Sequence, residues 1–67
     1  MSVSYKKLWH LLLDKNMKKK ELSELAGISN YTINKLNGDG NVTVEVLEKI
    51  CLALDCNVDD ILEFTKE

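Results

Sequence analysis

Apolar residues recur at helical spacing through most of this chain, and breaks in that spacing divide it into five segments. Tyr5, Leu8, Trp9 and Leu12 share one face of a helix running from Tyr5 to Lys15, with Lys6, Lys7 and Asp14 off that face. Between Lys18 and Ala26 the pattern returns with Leu22, Leu25 and Ala26, and Gly27 stands where a left-handed residue would close the helix. Ser29 is an N-cap for a third helix that carries Ile33 and Leu36 inward and ends at Asn37 and Gly38. Residues Asn37 to Asn41 are loop by composition, after which Thr43 caps a helix with Leu47, Ile50, Cys51 and Leu54 on one stripe. Asn57 is expected to cap a last short helix holding Val58, Ile61, Leu62 and Phe64, with Asp59 and Asp60 favoured in its first turn by the helix dipole. Five short helices without a strand signal make an all-α domain. With no proline, no low-complexity stretch and 67 residues, positions 1–67 read as one unit.

A chain this short buries only about 60% of the surface its unfolded form exposes, so its stability rests on a compact apolar core, which the 45% apolar content permits. Cys51 and Cys56 each lie in an apolar stretch and lack the two close ligand pairs of a structural zinc site, which makes them small apolar packing residues. No cofactor is expected. Asn37, Asp39, Asn41 and Glu48 occupy ligand places of a calcium loop, but Val42 stands where that loop requires glycine. His10, the only histidine, reads as a helix-surface residue with no nucleophile and orienting acid beside it. With no glycine-rich phosphate loop either, an enzyme is not expected. Trp9 reads as core or interface. Neither a signal peptide nor an apolar run of about 18 residues is found, which places the protein in the cytoplasm.

The net charge of −2 alone argues against a nucleic-acid partner, but its distribution does not. Residues 1–37 hold seven lysines (6, 7, 15, 18, 19, 20, 35) and three acids (14, 21, 24), a net +4. Residues 38–67 hold two lysines (49, 66) and eight acids (39, 45, 48, 55, 59, 60, 63, 67), a net −6. Such a division can turn one positive face to a phosphate backbone. Within the basic half, Leu22, Ala26, Ile28, Ile33 and Leu36 supply the inner contacts of two helices meeting across a tight turn. Ser23 is small at the crossing, and Gly27 sits in the turn where a positive φ is wanted.

The segment Leu22-Ser23-Glu24-Leu25-Ala26-Gly27-Ile28-Ser29, then Ile33 and Leu36, then Leu47 to Leu54, then Val58-Asp59-Asp60-Ile61, resembles the lambda-repressor-like (Cro/repressor, XRE) helix-turn-helix family, in its short single-domain members. The resemblance covers about Tyr5 to Phe64. It implies a compact five-helix fold that lays its third helix in the major groove as a transcriptional regulator, expected to be a repressor. Carried across by position, it implies base contacts from Asn30, Tyr31, Thr32 and Lys35, and phosphate contacts from Lys18, Lys19, Ser29, Asn34, Asn37 and Asn41. The chemistry suits the first group, since Asn can pair with adenine, Lys with guanine acceptors, and Tyr or Thr with a thymine methyl. Lys18 and Lys19 stand where the family commonly has Thr-Gln, Asn37 where an acid is frequent, and Ser23 where Ala is usual.

The expected partners are double-stranded DNA, as a palindromic operator, and a second copy of the chain. Leu11, Leu13, Leu62 and Phe64, left over after the core stripes are filled, are the expected dimer surface around the last helix. The rival reading is a protein-interaction module, antitoxin-like or adaptor-like, that docks a partner through the acidic half and binds DNA weakly or not at all. RNA binding is weaker still, for lack of a stacking platform of several aromatics.

Overall fold

Helices α3 and α4 begin at residues whose side chains hold a free N–H of the first turn, and every α-helix is followed within two residues by a left-handed backbone position. A computed structural model describes residues 2–66. In chain order the elements are β1 (Ser2–Ser4), α1 (Lys6–Asp14), α2 (Lys19–Ala26), α3 (Asn30–Asn37), α4 (Val44–Leu54), a single 3-10 turn (Val58–Asp60) and β2 (Glu63–Thr65). The Ser29 and Thr43 side chains accept from the N–H groups of Thr32 and Val46, so both expected caps form. Gly27 closes α2 at φ 70°, and the N–H of Ile28 bonds back to the carbonyl of Ser23. Asn16, Asp39 and Asp55 also take positive φ beyond the ends of α1, α3 and α4, as Asn and Asp tolerate better than most residues.

Among the described residues the α-helices number four, not five. Asn57 does start a turn, through its N–H to the Asp60 carboxylate at 3.0 Å, but the turn closes by short-range bonds and stops at Asp60. Beyond it Glu63–Thr65 runs antiparallel to Ser2–Ser4, with Val3 opposite Phe64. The hydroxyls of Ser2 and Thr65 meet at 2.8 Å. Alternating polar and apolar residues, with Phe and Thr in the second strand, suit this half-exposed ribbon better than a helix that would have to form alone. Phe64 is therefore a strand residue, 70% exposed, and the expected dimer surface has no helix beneath it there. Leu13 is 76% exposed, whereas Leu11 and Leu62 are half-buried against the core.

Tyr5, Leu8, Leu12, Leu22, Ile33, Leu36, Ile50, Leu54 and Ile61 form the core, one or more from every α-helix. Leu25 departs from its expected place on the inner stripe: it is 57% exposed, because Leu22 and Ser23 take the buried side of α2 where that helix meets α3 and α4. Cys51 and Cys56 are half-buried against this core, and burial, followed by the neighbouring Cys51, pushes the Cys56 thiol up to about 11. That thiol stays protonated near neutral pH, as suits a packing residue.

Tyr5 ties both ends of the domain's first half together. Its ring is 2% exposed, its backbone N–H bonds the Asp39 carboxylate at 3.1 Å, and its hydroxyl donates to the Gly40 carbonyl at 2.9 Å. Gly40 in turn donates its N–H to the Lys35 carbonyl at 2.8 Å, so close that a Cβ there would meet that carbonyl at 3.1 Å. Burial, then the Asp39 charge, raises the Tyr5 hydroxyl above its ordinary 10.0. Below that value both folded and unfolded chains keep the proton; above it only the unfolded chain releases it, and the stabilising contribution fades. Tyr5→Phe is expected to lower unfolding free energy by about 1 kcal/mol at pH 7, with the gap to the parent chain shrinking above about pH 10. Urea titrations of both chains at a series of pH values measure it, and a gap that is absent at pH 7, or constant through about pH 11, would contradict the assignment.

Candidate nucleic-acid interface

Helix α2 begins with three exposed lysines, Lys18, Lys19 and Lys20, at the end of the helix where the dipole is already positive. Lys18 offers no side-chain acceptor for the first turn. The Glu21 carboxylate supplies the reciprocal bond instead, accepting the Lys18 N–H at 3.1 Å. For an isolated helix this arrangement is unfavourable, but it concentrates positive potential and unpaired N–H groups at one point, as an anion such as a phosphate requires.

The Lys19 ammonium bonds the Asn37 side-chain oxygen at the far end of α3, and it lies 4.4 Å from the centre of the Trp9 ring on α1. The bond is a neutral-acceptor one, since Asn37 stands where the resemblance leads one to expect an acid. Trp9 is half-buried against the core, as expected of a large aromatic, but helical spacing gave no sign that a cation from the next helix would cover it.

Ile33 and Leu36 fasten α3 to the core, which leaves its opposite side open. Asn30, Tyr31 and Lys35 are all exposed on α3, Tyr31 to 70%, and the Lys35 ammonium lies 5.4 Å from the Tyr31 ring centre. Thr32 differs from the other three expected base contacts: it is half-buried, and its hydroxyl meets that of Ser29 at 3.1 Å. The expected phosphate contacts, Lys18, Lys19, Ser29, Asn34, Asn37 and Asn41, are all exposed. Asn41 joins Tyr31, Thr32 and Lys35 along one shallow cleft beside α3. Ser29 accepts from the Thr32 N–H at 3.2 Å, and its hydroxyl is also paired with that of Thr32.

The supporting residues that sequence spacing did not mark are Asp39 and Gly40, which hold the loop after α3 against Tyr5 and so place Asn37 and Asn41. Asp39's left-handed φ of 54° aims its carboxylate at the Tyr5 N–H, and an Asp-Gly pair in a loop is the one signal that hints at it. Among the described residues no group of three or more His, Cys, Asp or Glu is placed to hold a metal ion.

Residues 7–67 match the model of the Cro/C1-type HTH (helix-turn-helix) DNA-binding domain. Among solved structures, the crystal structure of the transcriptional regulator VanUg is similar at 48% identity and a TM-score of 0.94, covering 98% of this chain and 88% of that one. No curated protein matches the chain.

The N-terminus of α3 rests on a single side-chain oxygen. Ser29→Ala is expected to lower the unfolding free energy by about 1 kcal/mol in the absence of DNA, whereas Ser29→Asp, which keeps an acceptor, should restore most of it. Thermal denaturation of the two variants beside the parent chain checks this; equal losses would show that the cap is not what holds α3.

Proposed function

The chain belongs to the Cro/C1-type helix-turn-helix DNA-binding family, and we propose that it is a sequence-specific regulator that seats α3 in the major groove of double-stranded DNA. It is a DNA-binding transcriptional regulator, and the protein-interaction module is not favoured. One observation carries the finer reading: α3 offers Asn30, Tyr31 and Lys35 on its exposed side, next to the lysine-topped start of α2. Base edges are read by the first group, with Thr32 at the margin, and the duplex is gripped by the second, with Ser29, Asn34, Asn37 and Asn41 around it. Residues 1–67 act as one cytoplasmic, non-catalytic unit. Among the described residues no helix is long and apolar enough to cross a membrane.

A second copy completes the reading, because one half-site gives little area for tight binding and two copies related by a two-fold axis suit a palindrome. Leu13 and Phe64 of the expected patch, and Val44, Leu52 and Val58 outside it, are exposed apolar side chains available for that contact. Sedimentation is expected to show two chains on a duplex whose half-sites lie about 34 Å apart. A single chain both free and on DNA would rule the dimer out.

Grip and readout separate by salt. Lys19→Ala should weaken binding equally on preferred and random duplexes, and the salt slope should fall by roughly one unit for each phosphate the variant no longer neutralises. Asn30→Ala should cost about 1 to 3 kcal/mol on the preferred site, little on random DNA, and leave the slope nearly unchanged. Selection from a random duplex pool supplies the preferred site, and salt titrations of each variant on both DNAs decide. If the two variants behave alike, α3 is not the reading helix.

A further inference from the structure

Lys19 has neighbours of its own sign on both sides, Lys18 and Lys20, and all three are exposed at the start of α2. A flexible ammonium in that setting would spread over many rotamers, away from the other two charges, and would pay an entropic cost to meet one phosphate. It is held instead. Its Nζ sits 4.4 Å from the Trp9 ring centre and donates to the Asn37 side-chain oxygen. Trp9 is itself half-buried against the core, which makes the ring a fixed platform rather than a second mobile group. A ring face attracts the charge without consuming a donor, so the ammonium, with one N–H on Asn37, has two left to direct outward.

We infer that Trp9 is a positioning residue for DNA binding: with Asn37 it fixes the Lys19 ammonium where α1, the start of α2 and the end of α3 meet, ready for one backbone phosphate. This rests on the reading of Lys19 as a phosphate contact. It also means that the hold of α2 on the backbone is tied to the far end of α3, so a single phosphate contact reports the relative placement of three helices.

A double-mutant cycle on the full chain tests it, using a random duplex at low salt, because a phosphate contact needs no particular sequence. Trp9→Leu is expected to weaken binding about two- to five-fold when Lys19 is present and to have no effect in a Lys19→Ala background. Trp9→Phe, which keeps an aromatic face, should recover most of the loss. The same loss in both backgrounds, or none in either, overturns the inference. If Lys19→Ala alone leaves binding intact, the phosphate reading of Lys19 fails instead, which is a distinct result. Should Trp9→Leu not fold, the parent chain still decides: ring current from the indole should shift the Lys19 Hε resonances upfield, free and on the duplex alike. Disappearance of that shift on binding overturns the proposal.

Discussion

The placement of the interface depends on the burial of one tyrosine. Tyr5 is the first core residue in the chain, and its two polar groups reach across to the loop after α3, one to Asp39 and one to Gly40. Within that loop Val42 is the apolar residue packed against the core. The two Tyr5 bonds add to Leu36 beneath the last turn of α3 and to the Lys19 ammonium on Asn37, the two other contacts that hold this end of the helix. The Gly40 N–H to Lys35 continues the same chain of contacts into α3, so the buried ring is linked to the last turns of that helix. Polar groups that are part-buried gain more from such bonds than exposed ones, and losing either partner strands the other.

Charge at the start of α2 is arranged against local helix stability. Helix starts favour acids, yet α2 begins with three lysines and has one acid, Glu21, in its first turn. The acids that would suit such a position lie elsewhere, as with Glu45 at the start of α4 and Asp59 and Asp60 in the 3-10 turn. The two halves of the chain therefore obey the helix-dipole rule differently: the acidic half follows it, and the basic half breaks it where a polyanion would restore the balance. A net charge of −2 is the sum of these two arrangements and describes neither.

Most of what is legible in the sequence is local in origin. Ser29, Thr43 and Gly27 act within a few residues of themselves, so their caps and turn can be read from spacing, and with them the limits of α2, α3 and α4. The last segment departs from its expected helix because Ile61, Leu62 and Phe64 can be fitted to a helical stripe, while the strand they approach, Ser2–Ser4, lies at the other end of the chain. A three-residue strand has no periodicity of its own to detect, and its pairing is as non-local as this chain allows. Leu25 departs for a related reason, since α2 is crossed by two helices and their combined footprint, not the stripe, decides which side is buried. The candidate site is legible as a set of residue types on two helices. How they are held is not, because Trp9 under Lys19 and Tyr5 on Gly40 each join residues that no local pattern connects.

Those joining contacts also divide the work among the residues of α3. Thr32 has its N–H on the Ser29 oxygen and its hydroxyl against the Ser29 hydroxyl, so its polar groups are already engaged in starting the helix. Asn37 is engaged at the other end by Lys19. Between these two fixed ends, Asn30, Tyr31, Asn34 and Lys35 are exposed, and the contact of Lys35 with the Tyr31 ring runs along the helix surface and can open without disturbing the core. A helix fastened at both termini and free along its middle can rearrange its exposed side chains while its axis stays put. The polar bonds at each end of α3 thus serve the same purpose as Ile33 and Leu36 beneath it: they hold the backbone still and leave a few exposed side chains unencumbered.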